Sequence, residues 1–323
     1  MFRTTSNTYI SGFNNQLQVL QSRISKYQND ISTGKKIHNA SDDPSGYSQV
    51  LGLQSDQRAV QQLRRNANAA ETRINSTYSA AADLQTVVSR ASELAIQANG
   101  TLSDSDREVI ATEIDNLLEQ ALTIGNRRED STFLFGGTSL LSSDTDPVTG
   151  SAYVPFSATR DATTGEITAV AYRGNYTTQK IEVSTSTVMD ASVLGARNAA
   201  GQGRALFVDN QLSTPVDVFQ TLIDMRDNLR NNTYDSTTTV AELNNVEDNV
   251  AVVIGMTSAN LSRLETVTTA HTRKLTSDET TLSQIADSDL ASAALSLTQA
   301  QTTYEAALSV GGQILNVSLL NYL

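Results

Sequence analysis

The chain has 323 residues, a net charge of −12, a pI near 4.6, and neither cysteine nor tryptophan. That length suggests about two domains. The acidity disfavours contact with nucleic acid or an anionic membrane surface, and the missing cysteines remove disulfides, thiol nucleophiles and thiolate metal sites together. Aromatic residues make up 5% and hydrophobic residues 39%, so any core must be built mainly from Ala, Leu, Val and Ile. Such small and aliphatic side chains suit slim helices packed side by side. No stretch approaches the roughly 18 to 20 apolar residues of a membrane helix, so no membrane insertion is expected. The first residues, Met1 to Gly12, hold no apolar run long enough for a signal-peptide core.

The first regular pattern is Phe13, Leu17, Leu20, Ile24, Tyr27 and Ile31, stepping alternately by four and three, which is a heptad seam. Gly34 lies where a helix end favours a residue tolerant of the left-handed conformation. Asp43-Pro44 reads as a helix start, with the carboxylate capping a free amide and Pro at the first helical position. A long helix is expected from about Pro44 to Asn99, with Val50, Leu53, Val60, Leu63, Ala67, Ala70, Ile74, Ala81, Leu84, Val88 and Ala91 near one face. Ser103-Asp104-Ser105-Asp106 resembles a capping box. It opens a helix carrying Ile110, Ile114, Leu117, Ala121 and Ile124, which is expected to fold back antiparallel.

Helical periodicity is lost after Phe133-Leu134-Phe135-Gly136-Gly137. Glycines recur at 150, 165, 174, 195, 201 and 203, and short runs such as Ile167 to Arg173 and Lys180 to Thr187 read as strands broken by turns. Helix returns near Thr214-Pro215-Val216-Asp217, with Val218, Phe219, Leu222, Met225 and Leu229 on its face. A second long helix is expected from about Thr239 to Ile285. The last one begins near Asp287-Ser288-Asp289 and carries Leu290, Ala294, Leu297, Gln301, Tyr304, Leu308, Gly311, Leu315, Ser318 and Tyr322 at heptad steps.

The expected fold is therefore mainly α: long antiparallel helical rods formed by the N- and C-terminal parts, with an inserted small β-rich domain. Residues 1–42 and 286–323 are the terminal heptad helices, disordered in the isolated chain. Residues 43–138 and 210–285 form the helical rod domain, and residues 139–209 the inserted outer domain. A terminal heptad helix cannot bury its seam alone. The simplest solution pairs the N-terminal seam (Phe13, Leu17, Leu20, Ile24, Tyr27, Ile31) with the C-terminal one (Leu290, Leu297, Tyr304, Leu308, Leu315, Tyr322), and then with neighbouring subunits.

No catalytic, cofactor-binding or metal-binding set emerges. His38 and His271 are the two histidines, and each is read as a capping or packing residue. Asp287 and Asp289 begin like a calcium loop but lack its glycine and later Glu, which favours a helix cap. Gly311-Gly312 allows close helix approach or local flexibility. Arg127-Arg128 reads as a solvated charge pair at a helix end, with contact to an acidic neighbour as the alternative.

Ile31-Ser32-Thr33-Gly34-Lys35-Lys36-Ile37, leading into Asn39-Ala40-Ser41-Asp42-Asp43-Pro44, resembles the N-terminal signature shared by flagellins and the hook-associated protein 3 family of hook–filament junction proteins. Glu93-Leu94-Ala95-Ile96-Gln97-Ala98-Asn99-Gly100-Thr101 is similar to the same family, and Phe133 to Thr138 resembles its step into the outer domain. Residues 139–209 match nothing recognisable. The proline at 44 and the ending Ile314 to Leu323 are closer to junction proteins than to flagellins. The resemblance implies a structural, non-enzymatic role in the bacterial flagellum. It implies self-association in a ring, contacts with hook-associated protein 1 and with flagellin, a flagellar export chaperone on the C-terminal helix, and export to the cell exterior without a cleaved signal peptide. A flagellin filament subunit is the alternative, and a secretion-system tip protein a further one.

Overall fold

A computed structural model describes residues 3–100, 102–129, 131–138 and 153–320, with residues 3–10 and 314–320 described as helical backbone only. Six helices and nine short strands follow one another along these residues. They are α1 (Arg3–Thr33), α2 (Pro44–Gln97), α3 (Asp104–Gly125), β1 (Arg128–Glu129), β2 (Thr132–Phe133), β3 (Phe156–Arg160), β4 (Ile167–Tyr172), β5 (Lys180–Ser184), β6 (Thr187–Asp190), β7 (Leu194–Arg197), β8 (Ala205–Asp209), β9 (Val216–Asp217), α4 (Val218–Arg230), α5 (Ser236–Ala286) and α6 (Leu290–Leu320). The architecture is mainly α, with long helices towards both ends and a small β-containing region between them. The 54 residues of α2 make a helix about 80 Å long at 1.5 Å per residue.

The helix boundaries have local causes. The Asp43 carboxylate accepts hydrogen bonds from the Ser45 and Gly46 amides at 3.1 and 3.0 Å, so α2 begins at Pro44. Ser103 caps α3 in a full capping box with Asp106. Gly34 ends the first helical segment at φ +70°. The start of α4 differs from expectation. Asp217 is its N-cap, accepting from the Gln220 amide at 3.0 Å, and Val216-Asp217 forms strand β9. Pro215 therefore precedes a strand instead of opening the helix. The run Lys180 to Thr187 is likewise two strands, with β5 and β6 paired as an antiparallel hairpin.

The chain divides into two compact units. The first contains residues 1–60 and 272–323 and centres on α1 and α6, which run antiparallel. Two connecting segments join in this unit. The Lys36 amide donates to the Ala286 carbonyl at 2.7 Å, the Ser288 amide donates to the Gly34 carbonyl at 2.8 Å, and Lys35 bridges Asp287.

The second unit contains residues 61–271. Its core joins α2, α3, α4 and α5 to the strands: Leu84, Val88, Leu94, Ile114, Leu118, Leu222 and Val250 share one cluster with Phe156, Ile167, Leu206 and Phe207. The rings of Phe156, Phe207 and Phe219 lie within 5.0 to 5.3 Å of one another, centre to centre, spacing that favours aromatic pairs. Gly125 and Gly195 sit against the Phe156 ring, where a Cβ would come within 2.8 and 2.9 Å of it. This core crosses the boundaries drawn from the sequence. Residues 139–209 were set apart as an inserted domain, yet the described strands of that segment contribute their aromatic side chains to the helical core. The only parallel strand pair among the described residues, β7 with β8, left no periodicity to read. A second cluster packs Ala67, Ala70 and Ile74 of α2 and Leu264 of α5 against Val183 and Met189 of the β5–β6 hairpin.

Candidate assembly surface

The first unit carries the residues marked as an assembly seam. On α1, Phe13, Leu17, Leu20, Ile24, Tyr27 and Ile31 are all half-buried, and none is fully buried. On α6 the burial falls on Ala293, Leu297, Ala300, Tyr304, Ala307 and Gly311, again at alternating steps of four and three. Leu297 and Tyr304 thus lie on the seam. Leu290 and Leu308 do not face α1 and are 52% and 47% exposed. The side chain of Leu315 and all of Tyr322 lie outside the described residues.

The difference has a simple origin. Between Leu290 and Leu308 the larger apolar residues mark one helical stripe and the alanines mark the next, one residue away. The two stripes share Leu297, Tyr304 and Gly311 and differ by one residue elsewhere, with Ala293 and Ala300 buried and Ala307 half-buried in place of Ala294, Gln301 and Leu308. At one end of the pair, a Cβ on Gly311 would come within 2.3 Å of the Phe13 ring. The antiparallel register set there brings Ile24 opposite Ala300 and Ile31 opposite Ala293. In the same register Leu20 lies opposite Tyr304 and Tyr27 opposite Leu297, so large and small α6 residues alternate along the seam. Gly311 is thereby a close-contact residue, while Gly312 has nothing within 4 Å of its Cβ position.

Two carboxylates brace the links at the base of the pair. Asp42 accepts from the His38 and Asn39 amides at 3.1 and 3.0 Å, and those backbone bonds hold its carboxyl below the usual carboxylate range. Asp289 caps α6 through the Ala291 and Ser292 amides at 3.0 and 3.3 Å, with the same consequence. His38 is 2.9 Å from the buried Asp30 carboxylate, which ties the link to α1. His271, in the second unit, meets the Val183 carbonyl at 2.7 Å. Both histidines are packing residues here. Among the described residues no group of three or more His, Asp or Glu is placed to hold a metal, and no helix is long and apolar enough to cross a membrane. Arg127 and Arg128 are not simply solvated: Arg127 pairs with Asp83 at 2.5 Å and Arg128 lies 4.8 Å over the Phe133 ring.

The sequence signal missed Arg73. Its side chain is nearly buried on α2 and donates to the Phe133 carbonyl at 3.0 Å and the Thr132 hydroxyl at 3.2 Å, with Glu129 3.8 Å away. It thereby fastens the β1–β2 hairpin to α2. Burial pulls its guanidinium below its ordinary value, partly offset by Glu129. A lone Arg among helix-surface residues gives no sequence cue to such a role.

These units define a mainly helical protein: one unit pairs the two long terminal helices, and the other packs helices and short strands around a common core. Residues 6–144 match the family model of the bacterial flagellin N-terminal helical region. Over 119 residues it is 34% identical to flagellar hook-associated protein 3 of Escherichia coli, covering 36% of this chain and 38% of that protein. It is 33% identical over 131 residues to the phase 1 flagellin of Salmonella naestved, covering 40% of this chain and 25% of that one. The chain thus spans about two fifths of the length of the hook-associated relative and a quarter of the flagellin. The fold is shared with the crystal structure of the flagellar junction protein FlgL from Legionella pneumophila. The TM-score is 0.54 at 16% identity, over 74% of this chain and all of that one.

Proposed function

We propose that this protein is a structural subunit of the bacterial flagellum that joins the hook to the filament, and that it is not an enzyme. The observation that carries this reading is the seam of the terminal pair. All six α1 seam residues remain half-buried after α6 has packed on them. The surface left open on that seam is of the kind that further helices complete in larger helical assemblies. Copies of the same chain in a ring supply them. The similarity to hook-associated protein 3 and the fold shared with a junction protein support the same reading.

On this reading one face of the ring meets hook-associated protein 1 and the other meets the first flagellins. A flagellar export chaperone covers α6 before assembly, and the protein reaches the cell exterior through the flagellar export channel. The test is removal of the gene. The expected result is cells with hooks but no filaments, and flagellin shed into the medium as monomer. Filaments that persist without the gene would overturn the junction reading. Loss of filaments with no flagellin in the medium would point to a filament subunit instead.

A further inference from the structure

Asn99-Gly100 is the only Asn-Gly pair in the chain, and every other asparagine is followed by a residue that carries a side chain. The pair lies just past α2, which closes at Gln97. Both residues are exposed and belong to the turn that leads towards α3. Where an asparagine lies inside a helix, as Asn68 and Asn75 do in α2, the amide that follows it is committed to the helical ladder. The Gly100 amide has no hydrogen-bond acceptor among the described residues. Packing does not account for the glycine either, because a Cβ at Gly100 would meet nothing within 4 Å.

The Asn99 side chain is held by a distant residue. The Ser236 hydroxyl, at the start of α5, donates to Asn99 Oδ1 at 2.6 Å. The Tyr234 hydroxyl donates to the Ala95 carbonyl at 2.7 Å. These two bonds fasten the link between α4 and α5 to the end of α2. A donor on Oδ1 draws electron density from the side-chain carbonyl carbon, Cγ. It also stabilises the negative charge that grows on that oxygen when a nucleophile adds to Cγ. The Gly100 amide nitrogen is such a nucleophile, and its addition to Cγ closes a succinimide ring. Glycine offers the least steric resistance to that closure, since it has no Cβ beside the attacking nitrogen.

We infer that Asn99-Gly100 is a site of spontaneous self-modification, at which the Gly100 nitrogen attacks Asn99 Cγ while the Ser236 hydroxyl holds the oxygen that takes the charge. A bond forms between the Gly100 nitrogen and Cγ, and the bond from Cγ to Nδ2 breaks. The side-chain nitrogen leaves as ammonia, carrying the proton that the Gly100 nitrogen gives up. Water then opens the ring at either carbonyl, which leaves an aspartate or an isoaspartate at position 99. Nothing is oxidised or reduced, and water is the one co-reactant. Either product puts a carboxylate at the C-terminal end of α2, where the helix dipole disfavours negative charge. The isoaspartate also adds a methylene group to the backbone between α2 and α3. The reaction is independent of the assembly role proposed above.

The full-length protein is incubated at neutral and at mildly alkaline pH, then followed by peptide mass spectrometry and by labelling with an isoaspartyl methyltransferase. The expected result is deamidation concentrated at residue 99, giving both products, and faster at the higher pH because the attacking nitrogen must lose its proton. Gly100→Ala and Ser236→Ala are each expected to slow it several-fold. Ser236→Thr, which keeps the hydroxyl, is expected to stay near the parent rate. Circular dichroism checks that each variant keeps its helices, and denaturant is expected to erase the difference between the parent protein and Ser236→Ala. Deamidation at residue 99 no faster than at the other asparagines overturns the site. An unchanged or raised rate in Ser236→Ala overturns the part given to the hydroxyl.

Discussion

Gly311 shows how one residue sets the spacing of a helix pair. Glycine inside a helix is about 1 kcal/mol less favourable than alanine, so Gly311→Ala by itself favours α6. Its added methyl group, however, falls 2.3 Å from the Phe13 ring, closer than carbon atoms pack. Overpacking of this kind costs about 1–3 kcal/mol. The expected outcome is a net loss: faster proteolysis of residues 1–33 and a weaker α1–α6 pair. Adding Phe13→Ala to Gly311→Ala relieves the clash and restores protease resistance to a level above that of Phe13→Ala alone. Equal protection in Gly311→Ala and the parent protein would show that the ring is free to move away. Leu308 illustrates the converse. It looks like a seam residue by size, but its exposure places it outside the α1 contact, where only a further helix can cover it.

At the scale of elements, helix starts depend on aspartates. Asp43 at α2, Asp289 at α6 and Asp42 in the link between α1 and α2 are all held below their ordinary value of 3.8 by hydrogen bonds, chiefly from backbone amides. Their folded values lie below the unfolded ones. The stability they contribute is therefore fully present above about 3.8 and is lost as pH falls through the lower folded values. Asp217 runs the other way, because burial raises its value and protonation relieves that cost. With Asp235 at the start of α5 also lowered, four such groups at helix starts and links act against Asp217, so acid is expected to loosen α6 and the links. Thermal melts followed by circular dichroism between pH 6 and pH 3 should show a falling midpoint at the acid end. Asp289→Asn, which keeps the acceptor oxygen and removes the titration, should flatten that fall. An unchanged slope in the variant would remove Asp289 from the account.

At the scale of the molecule, the second unit behaves as one core. Phe156, Ile167 and Phe207 come from strands, and Leu84, Ile114, Phe219 and Val250 from helices, yet all belong to one buried cluster. A shortened protein that joins Gly137 to Gly203 removes Phe156 and Ile167 together and exposes the faces of Phe207 and Phe219 that they cover. Losing one large aromatic from a core typically costs about 3–5 kcal/mol, a large part of the usual total stability. The shortened protein is expected to aggregate or to melt without cooperativity. A sharp, parent-like transition would show that the strands are a detachable decoration.

Much of this molecule is legible in its sequence because its helices are long. Over fifty residues, the repeat of apolar positions in α2 exceeds chance patterns, and Asp43-Pro44, Ser103 to Asp106 and Gly34 mark ends through purely local chemistry. These signals need no tertiary partner. Register and partition depend on contacts between distant segments. The choice of Ala293, Ala300 and Ala307 over Leu290 and Leu308 as the inner stripe, together with Leu297 and Tyr304, depends on where α1 packs. The union of strands and helices in one core depends on Phe156 and Phe207 reaching Phe219, and short strands carry too few residues for periodicity to announce it. Arg73 is an ordinary helix arginine until the β1–β2 hairpin lies over it. The sequence by itself determined the long helices and the ends marked by Asp43, Ser103 and Gly34. Only the tertiary structure decided which faces meet, because that choice is made by shape and by the burial of polar groups between residues far apart in the chain.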